Sequence, residues 1–135
     1  MNAKELMIGD WVWAEGVTKQ VDAIRKNKIG VHFRKDRLRF LWENNVAPIA
    51  MTSGILEMNG FKKLESVRTD FGGLSPKQWT YENNECVIYV YENGVIYWME
   101  LELNEYAGKI ELPFSFVHEL QNAMNIFGIS KKIEL

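Results

Sequence analysis

The residues best suited to chemistry lie between Arg25 and Arg39, where Arg25, Lys26, Lys28, Arg34, Lys35, Arg37 and Arg39 stand against one carboxylate, Asp36. His32 and Phe33 interrupt this run, and Phe40 and Trp42 follow it. Cations displace phosphate counterions and flat side chains stack on bases, so the pattern suits a nucleic-acid surface. The competing reading is a set of solvated turns and strand exteriors whose aromatic neighbours point into a small barrel. Residues 1–50 carry nine basic and six acidic side chains, far below the balance of a dedicated nucleic-acid binder.

The remaining constellations are weaker. In Val117-His118-Glu119-Leu120-Gln121-Asn122 a histidine stands near a predicted helix start, where the dipole disfavours its charged form. No second histidine follows at three or four residues, so the zincin metal pattern is absent, and His118 reads as a structural residue or a partner contact. Glu100, Glu102 and Glu111 would converge on one sheet face, as a cation site or simply as a solvated strand. Cys86, the single cysteine, falls on a predicted core face where a thiol is inert. Gly72-Gly73 lacks the Lys-Ser/Thr of a phosphate loop. No nucleophile, base and orienting group assemble, so no enzyme, no cofactor, and no catalytic or metal-binding residue is expected. Five tryptophans make aromatic anchors the other resource, with Trp11, Trp13, Tyr89, Tyr91 and Trp98 the candidates.

The elements that would position these residues differ between the two parts of the chain. Val21–Ile24, Ile29–Phe33 and Leu38–Trp42 are short β-rich runs with tight turns, the last alternating with Leu38, Phe40 and Trp42 on one side. They predict a small SH3-like β unit over residues 1–50. Met51–Phe61 reads as a short helix capped by Thr52 or Ser53 and ended by Gly60. Residues 62–77 read as a polar loop with a weak strand near Ser66–Arg68. Asn93-Gly94 predicts a type I′ hairpin pairing Tyr91 with Ile96 and Val90 with Tyr97. Cys86, Ile88, Val90, Tyr97, Met99 and Leu101 then share a core face, with Tyr89, Tyr91 and Trp98 on the other. A further turn at 105–108 sets Leu103 opposite Ile110 and Glu102 opposite Glu111. Leu112–Gly128 reads as a strand end running into an amphipathic helix, capped by Ser115 and ended by Gly128, with Phe116, Leu120, Ala123, Met124 and Phe127 on its apolar face. Ile133–Leu135 alternates like a short edge strand.

The expected architecture is therefore α+β: an SH3-like unit over 1–50, then a unit over 51–135 whose antiparallel sheet is covered by two short helices, the two packed as one compact body. A length of 135 residues with 47% apolar content needs neither disulfide nor metal to fold. One cysteine, and no apolar run of signal-peptide or membrane-span length, predict a cytoplasmic protein with no membrane partner.

Three segments, LMIGDWV, PIAMTSGILEMNGF and FVHELQNAMNIFGI, together resemble a family of small uncharacterised proteins of Bacteroides-type bacteria and their phages or mobile elements. Met51 stands where that family usually has leucine. The resemblance implies an accessory protein and carries over no catalytic residue. The resulting expectation is a non-enzymatic protein that binds a protein partner, a second copy of itself included, through Tyr89, Tyr91 and Trp98. The alternative is a nucleic-acid-binding module using the 25–39 stretch.

Overall fold

The computed structural model describes residues 1–64, 77–93, 96–103 and 109–135. The fold is α+β: among these residues, three antiparallel sheets and two helices, α1 (Ser53–Met58) and α2 (Val117–Ile126). The chain forms two compact units, one of Met1–Ala50 with Phe116–Ile133 and Leu135, the other of Met51–Ser115 with Glu134.

In the first unit β1 (Trp11–Ala14) pairs with β2 (Val17–Gln20) and with β6 (Val46–Pro48). Glu15 and Gly16, at φ 51° and 80°, make the left-handed two-residue turn that joins β1 to β2. A second sheet runs β3 (Ala23–Arg25), β4 (Lys28–Arg34), β5 (Arg37–Trp42), and a 3₁₀ turn at Glu43–Asn45 leads from it to β6. Val12, Ala14, Val21, Ile29, Val31, Leu41 and Val46 close over Ala3 and Leu6 as the core. Leu41 is the residue that β5 buries, so the alternating Leu38, Phe40 and Trp42 lie on its outward side.

Helix α2 groups with these strands, not with the sheet that precedes it. Ala50 and Phe116 form an antiparallel bridge, and the Val117 N–H donates to the Ile49 carbonyl at 2.8 Å, which delivers the helix to the first unit. Its buried side chains are Val117, His118, Leu120, Gln121, Ala123 and Met124, whereas Phe116 and Phe127 are only half-buried. The buried face is thus rotated from the predicted one. Phe116 takes the N-cap position expected of Ser115, and its N–H donates to Glu119 Oε1 at 3.0 Å. The carboxy-terminal end is as predicted: Gly128 at φ 73° lets the Ile129 N–H reach the Met124 carbonyl at 2.8 Å.

The polar residues of the helix hold chain ends. Gln121 Oε1 accepts the Ile133 N–H at 2.7 Å, its Nε2 donates to the Lys131 carbonyl, and the Trp11 indole N–H donates to the Ile133 carbonyl. Asn122 Nδ2 donates to the Glu5 carbonyl. These bonds, rather than an edge strand, fix the segment after Gly128.

The second unit is a five-stranded antiparallel sheet in the order β11 (Lys109–Phe114), β10 (Ile96–Leu103), β9 (Cys86–Asn93), β8 (Lys77–Glu82), β7 (Lys62–Leu64). Strands β7 and β8 occupy ends of the segment read as a loop. Met99 faces Val90 and Leu101 faces Ile88, while Leu101 faces Ile110 across the other edge. Both registers differ from the predicted ones by two residues. Because side chains alternate with period two, that shift leaves each residue on its predicted face, and Cys86, Ile88, Val90, Met99 and Leu101 are buried. Helix α1 begins at Thr52, whose Oγ1 accepts the Ile55 N–H, and ends at Gly60, φ 87°, where the Phe61 N–H donates to the Leu56 carbonyl. Leu56, Phe61 and Trp79 are buried in this unit, and Asn59 holds Glu134 by both its N–H and its carbonyl. Gly94, the expected strand near 66–68, Gly72-Gly73 and the turn at 105–108 lie outside the described residues.

Candidate functional site

The outward face of the β3–β4–β5 sheet is built row by row from its register. Arg25 faces Lys28, which faces Trp42; Ala23 faces Gly30, which faces Phe40; His32 faces Leu38. Trp42 is 57% exposed and Leu38 40%, so this face is aromatic, apolar and open. Phe40 lies on the sheet because Gly30 is opposite: a Cβ there would stand 3.1 Å from Phe40 Cε1 and 3.1 Å from Ala23 Cβ. Cations lie over the rings, the Arg25 guanidinium 4.5 Å from the Phe40 centroid and Lys28 Nζ 4.5 Å from that of Trp42.

The β3–β4 turn completes the site. Lys26 takes the left-handed region at φ 41°, which a residue with a Cβ adopts rarely, and the Glu43 N–H donates to the Asn27 carbonyl at 2.8 Å. Arg25, Lys26, Asn27, Lys28 and Trp42 line a concavity of about 340 Å³. Among the described residues no carboxylate pairs with Arg25, Lys26 or Lys28. The concavity therefore presents cations, an indole and an amide to whatever enters it.

The seven predicted cations do not form one patch. Arg34, Lys35 and Arg37 are exposed at the β4–β5 turn, about 20 Å from the other end of β4, which has seven residues. Arg39 is on the opposite side of β5 from Phe40 and Trp42, 5.3 Å over the Phe33 ring, and bonded to Glu15 at 2.7 Å. His32 lies 2.7 Å from Asp22. The contributions of Gly30, Leu38 and Asn27 were not read from the sequence. The available signal was Gly30 itself, a residue without a side chain opposite an aromatic one in a β-rich run.

The protein-binding candidates occupy the second unit's other sheet face. One cross-strand row runs Leu64, Gln78, Tyr91, Trp98, Pro113. Trp98 is 40% exposed and Ile96 43%, but Tyr89 and Tyr91 are half-buried, and the Tyr91 hydroxyl is 3.1 Å from Glu100 Oε2. Glu100 is buried and faces Glu111, while Glu102 faces Lys109, so the expected Glu102–Glu111 pair is replaced. Among the described residues no group of three or more His, Cys, Asp or Glu is placed to hold a metal ion. Burial, then the nearby Glu85, pushes the Cys86 thiol above its ordinary range. His118 is buried, stacked 5.9 Å from the Phe116 ring, near Asp10. No described helix is long and apolar enough to cross a membrane.

Compared with protein-family models, curated proteins and solved structures, the chain has no match in any of the three.

Proposed function

We propose that the protein is a nucleic-acid-binding module whose binding surface is the outward face of β3–β4–β5. The observation that carries this reading is the outward Phe40 and Trp42 with Arg25 and Lys28 over their rings and a concavity beside them. The outward placement of Phe40 and Trp42 supports this reading over one in which those two rings fill a barrel, although Phe33 does pack against the core. Charge adds support: the first unit carries eleven basic and seven acidic side chains, the second five and eleven. The low net charge of the whole chain thus hides a basic unit. An SH3-like barrel is part of the same proposal, supported by β1 pairing with both β2 and β6 and by the 3₁₀ turn before β6. A small binding module also suits the accessory role that the family resemblance implies.

The test is an anisotropy titration against mixed-sequence single- and double-stranded DNA and RNA at two salt concentrations. Binding should appear at low salt, weaken steeply as salt rises, and be lost on reversing Lys26 and Lys28 to glutamate. Absence of binding to all four at low salt would overturn the proposal.

A second reading, a protein partner held by Tyr89, Tyr91 and Trp98, is supported by the exposed Trp98 within the Leu64–Pro113 row. Replacing those three residues with serine should then change the oligomeric state read by light scattering, or abolish capture of a defined partner. Unchanged behaviour in both would exclude it.

A further inference from the structure

The face described above has a direction and a spacing, and both constrain the ligand. Trp42, Phe40 and Leu38 recur every second residue along β5, about 7 Å apart. All three open to the same side, with the Arg25 guanidinium over the Phe40 ring and Lys28 Nζ over that of Trp42. At its Trp42 end lie Arg25, Lys26 and Lys28 around the concavity; past its Leu38 end lie Arg34, Lys35 and Arg37 at the β4–β5 turn. Two cations therefore lie over rings of the track, while Lys26 at one end and Arg34, Lys35 and Arg37 at the other make no ring contact among the described residues.

A duplex offers phosphates continuously along its exterior, at about 1.7 Å of axis per charge, and hides its base faces. Such a ligand would use the cations but leave the rings of Trp42 and Phe40 and the side chain of Leu38 against a hydrated backbone. A single strand exposes its bases, and flat or apolar side chains supply sequence-tolerant seats for them. The concavity, about 340 Å³, is near the lower end of ligand-pocket volumes, about 300 Å³. That suits one nucleotide unit, with the base against the Trp42 indole, the phosphate toward Lys26 and Arg25, and the exposed Asn27 amide within the rim to meet a base edge. Lys28 Nζ lies 4.5 Å over the indole centroid, so a base stacking on that face displaces the lysine, whose flexible stem leaves its charge free to meet the strand's phosphate.

We infer that the site, if nucleic acid is its ligand class as proposed above, selects single strands over duplexes, with one unpaired base stacked on Trp42 and the strand running along β5 over Phe40 toward Arg34, Lys35 and Arg37. Trp42 acts as the anchor. The cations at the two ends set orientation and salt dependence. An acidic peptide would use the cations but has no general need for the ring.

The experiment measures anisotropy of a labelled twelve-nucleotide mixed-sequence strand, alone and annealed to its complement, against the whole protein at low salt. Wild type should bind the single strand at least tenfold more tightly than the duplex. Trp42→Ala should weaken single-strand binding roughly five- to hundredfold, and Trp42→Phe should restore most of it, because stacking requires a π face rather than an indole. Trp42 is largely exposed, so both variants should keep the wild-type thermal melt, which is checked in parallel. Equal affinity for strand and duplex, or Trp42→Ala matching wild type, would overturn the single-strand inference while leaving nucleic-acid binding intact. Displacement of the strand by poly-glutamate as readily as by unlabelled strand would overturn it in favour of an acidic protein ligand. No binding of either nucleic acid would instead remove the function proposed above, and this inference with it.

Discussion

Asp10 is the most consequential single residue outside the candidate site. Its carboxyl is fully buried, Oδ2 accepts the Met7 N–H at 2.8 Å, and Oδ1 has no partner among the described residues. Burial raises its pKa above the ordinary 3.8, outweighing the lowering by the Met7 N–H, by Asn122 and by His118. The native state thus holds this proton more tightly than the unfolded chain. Stability from this group is then fully present below the ordinary carboxylate pKa and is lost as pH rises through the raised native value. Asp10→Asn keeps an acceptor for Met7 and removes the charge, so urea unfolding should show the variant equal to or about 1 kcal/mol above wild type at pH 7, with a flatter pH profile. Asp10→Ala, which orphans the Met7 N–H, should cost about 1–3 kcal/mol. Gly30 makes a complementary prediction at the site. A methyl there meets Ala23, Phe40 and Leu38 at 3.1–3.2 Å, so Gly30→Ala should destabilise by about 1–3 kcal/mol and weaken nucleic-acid binding by displacing Phe40.

At the scale of elements, both helices stop by the same device, and its worth can be measured. Gly60 and Gly128 occupy the left-handed position after the helix, and among the described residues a Cβ at Gly128 would meet no neighbour within 4 Å. Gly128→Ala should therefore cost only the backbone strain, about 1 kcal/mol in chemical denaturation, with Gly128→Asn milder. These ends were legible because capping chemistry is local: Thr52, Gly60, Phe61, Gly128 and Ile129 carry it within a few residues. The faces of β9 and β10 were legible for a related reason, since a two-residue register shift preserves them. What the sequence could not show depends on distant partners. Alternation in Leu38–Trp42 defines two sides of a strand, but only the cover over Leu41 decides which side is in. Strand β8 escaped notice because Gln78, Thr80 and Glu82 dilute its apolar signal, although Trp79 is fully buried. The destination of α2 is likewise set by the Ile49 carbonyl, far upstream in sequence. The site was half legible, as residue types but not as one surface.

For the whole molecule, the unit boundaries in the chain have a physical consequence. The first unit is discontinuous: Met1–Ala50 is completed by Phe116–Ile133, and the intervening Met51–Ser115 belongs to the second unit. Nine buried residues of 1–50 form one core cluster, but a chain that short is marginal without further cover. Helix α2 supplies it, through the Val117–Ile49 and Asn122–Glu5 hydrogen bonds and a buried face of six side chains. Because Ala50 and Phe116 are bridge partners, their Cα atoms are about 5 Å apart, the separation that a two-residue hairpin turn closes. A chain joining Ala50 to Phe116 through Asn-Gly, and ending at Leu135, should unfold in one cooperative transition and show α2 helicity by circular dichroism. A fragment ending at Ala50 should show neither. Should the fragment prove as stable as the joined chain, α2 would contribute no stability to this unit; should both be unfolded, the unit would depend on Met51–Ser115 after all. If the joined chain folds, it should also retain single-strand binding, since every residue of the candidate surface lies within residues 23–42.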